Sequence, residues 1–195
     1  VSLIYNCSAL NASVSANTIC SGNTGTVTFT GTPNAVVTYT VDGSPNQTIT
    51  LDATGQFILT TSVLTANSVY TLVDVSDGTT TTTLTGVTAT VTVNGLPTAT
   101  ISGTTDICSG SSTNLTFTGT ADAIVTYTDG TSNFTTTLVG GTSTVSVSPT
   151  TTTTYSLVSV ASNTTPICTA TPIGSAVVTV SQQVSGSLSY TPSDF

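Results

Sequence analysis

The chain has 195 residues and a formal charge of −8, and it contains no Lys, Arg or His. Phosphate backbones and anionic membrane surfaces are held chiefly by Lys and Arg, so partnership with nucleic acid or a charged bilayer is excluded on inventory. A Ser-His-Asp or Cys-His set, a Schiff-base lysine and a cationic phosphate clamp are excluded with them.

All eight acidic residues are Asp. Salt bridges within the chain therefore have no cationic partner other than the α-amino group of Val1. Paired Asp residues could still perform acid–base chemistry. Here they lie in turn-like contexts, where a carboxylate normally bonds its own backbone. The sequence predicts no catalytic residue and no cofactor. No run of about 20 apolar residues offers a membrane span, and no cationic leader precedes an apolar stretch. The chain is read as a mature protein or an excised segment.

Thr supplies roughly a quarter of the residues, far above ordinary usage. Thr and Val suit a pleated, half-buried surface, and Gly, Asn, Asp, Ser and Pro cut the runs into short pieces. One unit occurs twice. Cys20-Ser21-Gly22, Thr28-Phe29-Thr30-Gly31-Thr32 and Val36-Val37-Thr38-Tyr39-Thr40 return 88 positions later (20 to 108) as Cys108-Ser109-Gly110, Thr116-Phe117-Thr118-Gly119-Thr120 and Ile124-Val125-Thr126-Tyr127-Thr128. Duplication on this scale predicts an array of small domains.

In chain order, residues 1–12 read as a lead-in strand or the end of a preceding repeat. Module 1 spans 13–94, with strands expected near 13–16, 25–31, 35–41, 46–51, 56–61, 68–75 and 87–93. Residues 95–97 form a linker. Module 2 spans 98–181, with strands near 99–102, 113–118, 123–128, 133–138, 142–147, 153–160 and 175–181. Residues 182–195 are a tail or the start of a further repeat.

Val27 and Phe29 alternate with Thr26, Thr28 and Thr30, and Val37, Tyr39 and Val41 with Thr38 and Thr40. Leu115, Phe117, Val125 and Tyr127 are their counterparts. Period two places one face inward and a Thr-rich face in water. The run Tyr70-Thr71-Leu72-Val73-Asp74-Val75 is apolar on both faces, and its register stays open. Asp42-Gly43, Asp129-Gly130, Asp77-Gly78 and Gly140-Gly141 mark turns. Seven short strands in about 85 residues predict an all-β fold of tandem immunoglobulin-like, seven-stranded β-sandwiches. Tyr70 and Tyr155 are candidates for tyrosine corners or for ordinary core aromatics.

Four cysteines without a Cys-x-x-Cys pair or any His argue for disulfides outside the cytosol rather than zinc. Cys108 and Cys168 belong to one module and are expected to pair. Cys20 lacks a later cysteine in its own module, which leaves Cys7 as its expected partner. Calcium is the one metal that the side chains could serve, through Asp42 (with Asn46), Asp74 and Asp77. No EF-hand or nonapeptide spacing supports it, and turn chemistry explains the same residues. Asn-x-Ser/Thr triplets at Asn6, Asn11, Asn46, Asn114, Asn133 and Asn163 follow from the abundance of Ser and Thr.

The Ile-Cys-Ser-Gly openings at 19–22 and 107–110 are followed in module 1 by Val36-Val37-Thr38-Tyr39-Thr40-Val41-Asp42-Gly43 and Val69-Tyr70-Thr71-Leu72. The units close on Ala89-Thr90-Val91-Thr92-Val93 and Ala176-Val177-Val178-Thr179-Val180. With these residues the chain resembles the PKD-like or immunoglobulin-like repeats of giant secreted adhesins of Bacteroidetes, the flavobacterial gliding-motility adhesins among them. That resemblance implies type IX secretion, display at the bacterial cell surface and adhesion to substrata. Two departures stand out: module 1 lacks the later cysteine that module 2 carries, and no C-terminal secretion domain is evident, so the chain would be an internal piece.

The expected function is a non-catalytic repeat of a large extracellular adhesive filament. Its expected partners are neighbouring repeats, a surface polysaccharide or substratum, and filaments alongside. Two alternatives remain. One is a fibre subunit that polymerises by strand exchange through a terminal strand such as 1–11. The other is a carbohydrate-binding accessory module, disfavoured because few aromatic rings are free to stack on sugars.

Overall fold

The computed structural model describes residues 9–182. The chain divides into two compact units that part between Gly95 and Leu96. All regular structure among the described residues is β.

The first unit holds nine strands: β1 (Ala12–Ala16), β2 (Thr18–Cys20), β3 (Asn23–Gly31), β4 (Val36–Val41), β5 (Gln47–Thr50), β6 (Gln56–Leu64), β7 (Ser68–Ser76), β8 (Thr81–Thr83) and β9 (Thr88–Asn94). They form a three-stranded sheet, β1-β3-β6, and a six-stranded sheet, β2-β9-β7-β4-β5, with β8 also paired to β7. The second unit repeats the plan with β10 (Ala99–Ser102), β11 (Thr105–Cys108), β12 (Thr113–Gly119), β13 (Ile124–Thr128), β14 (Asn133–Thr137), β15 (Thr142–Val147), β16 (Thr153–Ala161), β17 (Thr169–Ala170) and β18 (Ser175–Ser181). Its sheets are β10-β12-β15 and β11-β18-β16-β13-β14, with β17 on β16.

Each unit therefore has nine strands rather than the seven expected. The additional pieces are β2 and β8 in the first unit and β11 and β17 in the second, each two to four residues long. β2 and β11 arise because the first strand breaks and crosses to the other sheet, where each pairs in parallel with the last strand of its unit. β8 takes up part of the threonine run at 79–83 and pairs with β7.

The alternation read from the sequence is the burial pattern observed. Val27, Phe29 and Val37 are fully buried and Tyr39 nearly so, as are Leu115, Phe117, Val125 and Tyr127 in the second unit. Each core is centred on tilted rings, Phe29 on Tyr39 at 5.0 Å and Phe117 on Tyr127 at 4.8 Å between centroids. Such offset geometry suits the ring quadrupoles.

On the solvent face, hydroxyls meet across strands. Ser13 Oγ and Thr30 Oγ1 lie 2.7 Å apart, and Thr100 Oγ1 and Thr118 Oγ1 also lie 2.7 Å apart. Cross-strand hydroxyl pairs of this kind support a sheet that has no ion pairs to draw on.

The repeated Thr-Phe-Thr-Gly-Thr motif has a steric cause. A Cβ on Gly31 would overlap the backbone of Asn11 and Ala12, and one on Gly119 would overlap Thr98 and Ala99. The first strand of each sandwich lies directly against that glycine, so only a residue without a side chain fits.

The open register of the sixth long strand is resolved by a bulge. Thr38 faces Asp74 and Tyr39 faces Leu72, so Val73 is the extra residue. The same step in the second unit sets Thr126 against Ser159 and Tyr127 against Leu157, leaving Val158 extra. Tyr70, Leu72 and Val75 all face the core because the bulge resets the period between them.

Candidate binding cleft in the second module

The hairpin β4–β5 and its counterpart β13–β14 start from the same sequence and end differently. In the first module Val41 extends β4 to pair with Tyr70, and Asp42-Gly43 follows with both residues in the left-handed region (φ 52° and 74°). That is the backbone of a type I′ turn. Asp42 then ties the turn to β7: Oδ1 accepts from the Val69 N–H at 2.7 Å and Oδ2 from the Ser68 hydroxyl at 3.0 Å. The Asp42 N–H donates to the Val69 carbonyl at 2.8 Å.

The second module has no residue equivalent to Val41, because Thr128 runs straight into Asp129-Gly130. Here Asp129 closes on its own turn. Its Oδ1 accepts from the Thr131 N–H at 2.9 Å, the Thr131 hydroxyl at 2.7 Å and the Ser132 N–H at 2.8 Å. These donors, with the Ser132 and Thr131 backbone foremost, hold its carboxyl below the usual carboxylate range.

A cleft of about 910 Å³ lies between this turn, the end of β15 and the start of β16, within the size range of small-molecule sites. Its aromatic wall is Tyr127, Phe134 and Tyr155. Phe134 is 41% exposed and stacks on Tyr127 with centroids 5.5 Å apart and planes 29° from parallel. Tyr155 lies 6.5 Å from Tyr127.

In the first module, the position facing the tyrosine is Gln47, and the Tyr39 hydroxyl donates to its Oε1 at 3.1 Å. In the second, the facing residue is Phe134, which cannot accept. Tyr127 and Tyr155 are 4% and 7% exposed, and neither hydroxyl has a partner among the described residues. No buried side-chain N or O atom among the described residues is left unsatisfied, so both phenol oxygens reach the surface, and both residues line the cleft. Burial, then the Asp129 charge, raises both phenol pKa values.

The structure places the sequence-predicted sites as follows. Asp42 spends its carboxylate on Ser68 and Val69, as described. Asp77 caps its own turn, with Oδ1 accepting from the Thr79 N–H at 2.9 Å, the Thr79 hydroxyl at 2.7 Å and the Thr80 N–H at 2.8 Å. These bonds bring its pKa down to about 2. Asp74 lies within β7, inside the strand expected near 68–75, and Asp106 lies within β11 rather than in a turn. Among the described residues no three His, Cys, Asp or Glu side chains gather. Among the described residues the Tyr70 and Tyr155 hydroxyls make no bond to backbone, and both residues are buried, so they are core aromatics rather than tyrosine corners. Phe134 and Tyr127 were visible as strand residues, but their shared role depends on a cross-strand pairing that no local pattern announces.

The expected Cys108–Cys168 disulfide is not formed. Cys108 is an exposed free thiol, whereas Cys20 and Cys168 are each disulfide-bonded. The reason is topological. Cys108 ends β11 opposite Ser181, beyond the start of β16. Cys168 is held at the other end of that strand, its carbonyl accepting from the Ser162 N–H at 2.8 Å. Nine residues of strand separate the two ends by roughly 30 Å, against the ~7 Å between Cα atoms that a disulfide spans. The other expected pair, Cys7–Cys20, includes Cys7, which lies outside the described residues.

No protein-family model and no curated protein matches the chain. Among solved structures, a marsupial T cell receptor superposes with a TM-score of 0.57 at 12% identity, over 90% of this chain and 74% of the receptor chain. A complex of Dpr11 IG1 with DIP-gamma IG+IG2 matches more loosely, with a TM-score of 0.38 at 9% identity over 88% of this chain and 98% of that one. The BSP domain of a biofilm associated protein has a TM-score of 0.32 at 14% identity, over 86% of this chain and 29% of that one. At such identities the likeness to the receptor speaks for fold alone: the chain is a tandem pair of immunoglobulin-like β-sandwiches.

Proposed function

We propose that the chain is a non-catalytic repeat segment of a large extracellular adhesive filament at a bacterial cell surface. The observation that carries this reading is the duplicated sandwich, in which each copy closes its own core and presents a face of threonine and serine hydroxyls. A unit that can be added in series without new chemistry suits spacing and display. Oxidised Cys20 and Cys168 support a compartment outside the cytosol. The finer assignment, to a gliding-motility adhesin exported by type IX secretion, rests on the resemblance of the repeat motifs.

The partners in this reading are neighbouring repeats, a surface polysaccharide or substratum, and filaments lying alongside. Electron microscopy of the native material tests it. Thin filaments beaded at the length of one small domain are the expected result. A compact particle with no repeat along it would overturn the proposal, and fibres that grow from purified single chains would replace it with the strand-exchange alternative.

A further inference from the structure

We propose that the cleft of the second module binds a pyranose ring of a neutral glycan, with Phe134 as the stacking platform and Asp129, Tyr127 and Tyr155 as the hydrogen-bonding groups. The geometry belongs to this module alone, and the inference adds a ligand to the adhesive reading without depending on it.

Three features select the ligand. The first is charge. The chain carries no cationic side chain at any position, and the one carboxylate in the cleft is held ionised by its turn donors. Phosphorylated, sulfated and uronate ligands would meet uncompensated repulsion there.

The second is the wall. Phe134 has one face packed on Tyr127 and is 41% exposed. A flat ring open to solvent beside an otherwise buried aromatic pair matches the C–H face of a sugar. The polar tips of two nearly buried tyrosines lie within reach of that sugar's edge.

The third is the density of hydrogen-bonding groups. Among the described residues, Asp129 Oδ2 and both phenol oxygens have no partner. The opposite rim is the run at 148–153, in which every residue but Pro149 carries a hydroxyl. A purely apolar ligand would strip water from these groups and return nothing, which is costly. A ligand with a hydroxyl on nearly every carbon satisfies them.

The first module shows how the same position reads without the cleft chemistry. Its Gln47 accepts the tyrosine hydroxyl, and Asp42 is spent on β7. This supplies a conservative variant, Phe134→Gln, which copies a pairing that the fold already accommodates.

The test is an NMR titration of the full chain with cello-, xylo-, manno- and chito-oligosaccharides, alongside a uronate oligosaccharide and a lysine-rich peptide. The expected result is saturable shifts confined to 127–134 and 145–156 with at least one neutral oligosaccharide, at a dissociation constant of roughly millimolar or tighter. In Phe134→Gln, binding should weaken at least tenfold while the melting temperature and the remaining resonances hold. Asp129→Asn, which keeps the turn acceptor, should weaken it less.

Absence of shifts with every neutral oligosaccharide at about 10 mM overturns the proposal. So do shifts that survive Phe134→Gln undiminished, or saturation by the lysine-rich peptide instead, which would mark the three rings and the carboxylate as a cation site. Failure here leaves the filament reading intact, because imaging tests that reading separately.

Discussion

The two modules share their sheets, core rings and motif glycine, and they differ at one end. Deleting the single residue that corresponds to Val41 releases the aspartate of the hairpin from β7 and turns it onto its own loop. Exchanging Gln47 for Phe134 removes the acceptor that satisfied the tyrosine. Neither change touches the core, where Phe29 and Phe117 are both fully buried. The contrast shows how a repeat can acquire a binding cleft at its hairpin end while its scaffold stays the same. The cysteines differ too: Cys20 is disulfide-bonded and its counterpart Cys108 is a free thiol.

The largest effect that would break the equivalence of the cores is truncation of their central rings. Phe29→Ala and Phe117→Ala should each cost about 3–5 kcal/mol, read as a lower urea midpoint of the module concerned. Unequal losses would mean that the two cores are not packed alike.

Next comes the motif glycine. Gly31→Ala and Gly119→Ala should each cost about 1–3 kcal/mol, because the new methyl displaces backbone rather than a flexible side chain. A neutral substitution at either position would show that the first strand of that module can move aside.

The pH dependence should separate the modules. A carboxylate with a depressed folded pKa contributes stability that is complete above its unfolded value, near 4. That stability is lost as pH falls through the folded value, about 2 for Asp77. Asp52 and Asp77 act this way in the first module and, among the described residues, Asp129 in the second. The first module should therefore lose more stability between pH 4 and pH 2. Phenols with raised values work in the opposite direction: their contribution is complete below pH 10 and is lost above it. Tyr39 carries this in the first module, Tyr127 and Tyr155 in the second. The second module should thus yield sooner to alkali. Urea midpoints followed across pH by a probe in each module would check both limbs.

The smallest effect concerns the thiols. Alkylation of the folded, unreduced chain should label Cys108 and leave Cys20 and Cys168 unmodified. Peptide mapping that finds Cys108 protected would restore the pairing within the module. Cys108→Ser should leave the melting temperature unchanged, since the side chain is exposed.

How far the sequence could be read depended on the range of the interaction. Val27 with Phe29 and Leu115 with Phe117 were legible as core because a strand alternates its faces locally, and each residue's neighbours in sequence report its side. Asp77-Gly78 was legible as a turn for the same reason, since its carboxylate bonds residues two and three positions away. β2 and β11 were not legible, because three or four residues carry no period of their own and are strands only by virtue of a partner more than 70 residues later. The disulfide expectation failed on the same ground. Membership of one module places two cysteines in the same stretch of sequence, whereas the distance between Cys108 and Cys168 is set by the strand that lies between them.

The amino-acid sequence alone determined the β class, the duplication, the buried face of most strands and the exclusion of cationic chemistry, because composition and local alternation act residue by residue. The tertiary structure alone decided the bulges at Val73 and Val158, the fate of each cysteine and the meeting of Phe134 with Tyr127, Tyr155 and Asp129. Those outcomes depend on which distant strands pair and in what register, and a linear pattern contains no term for the energy of that choice.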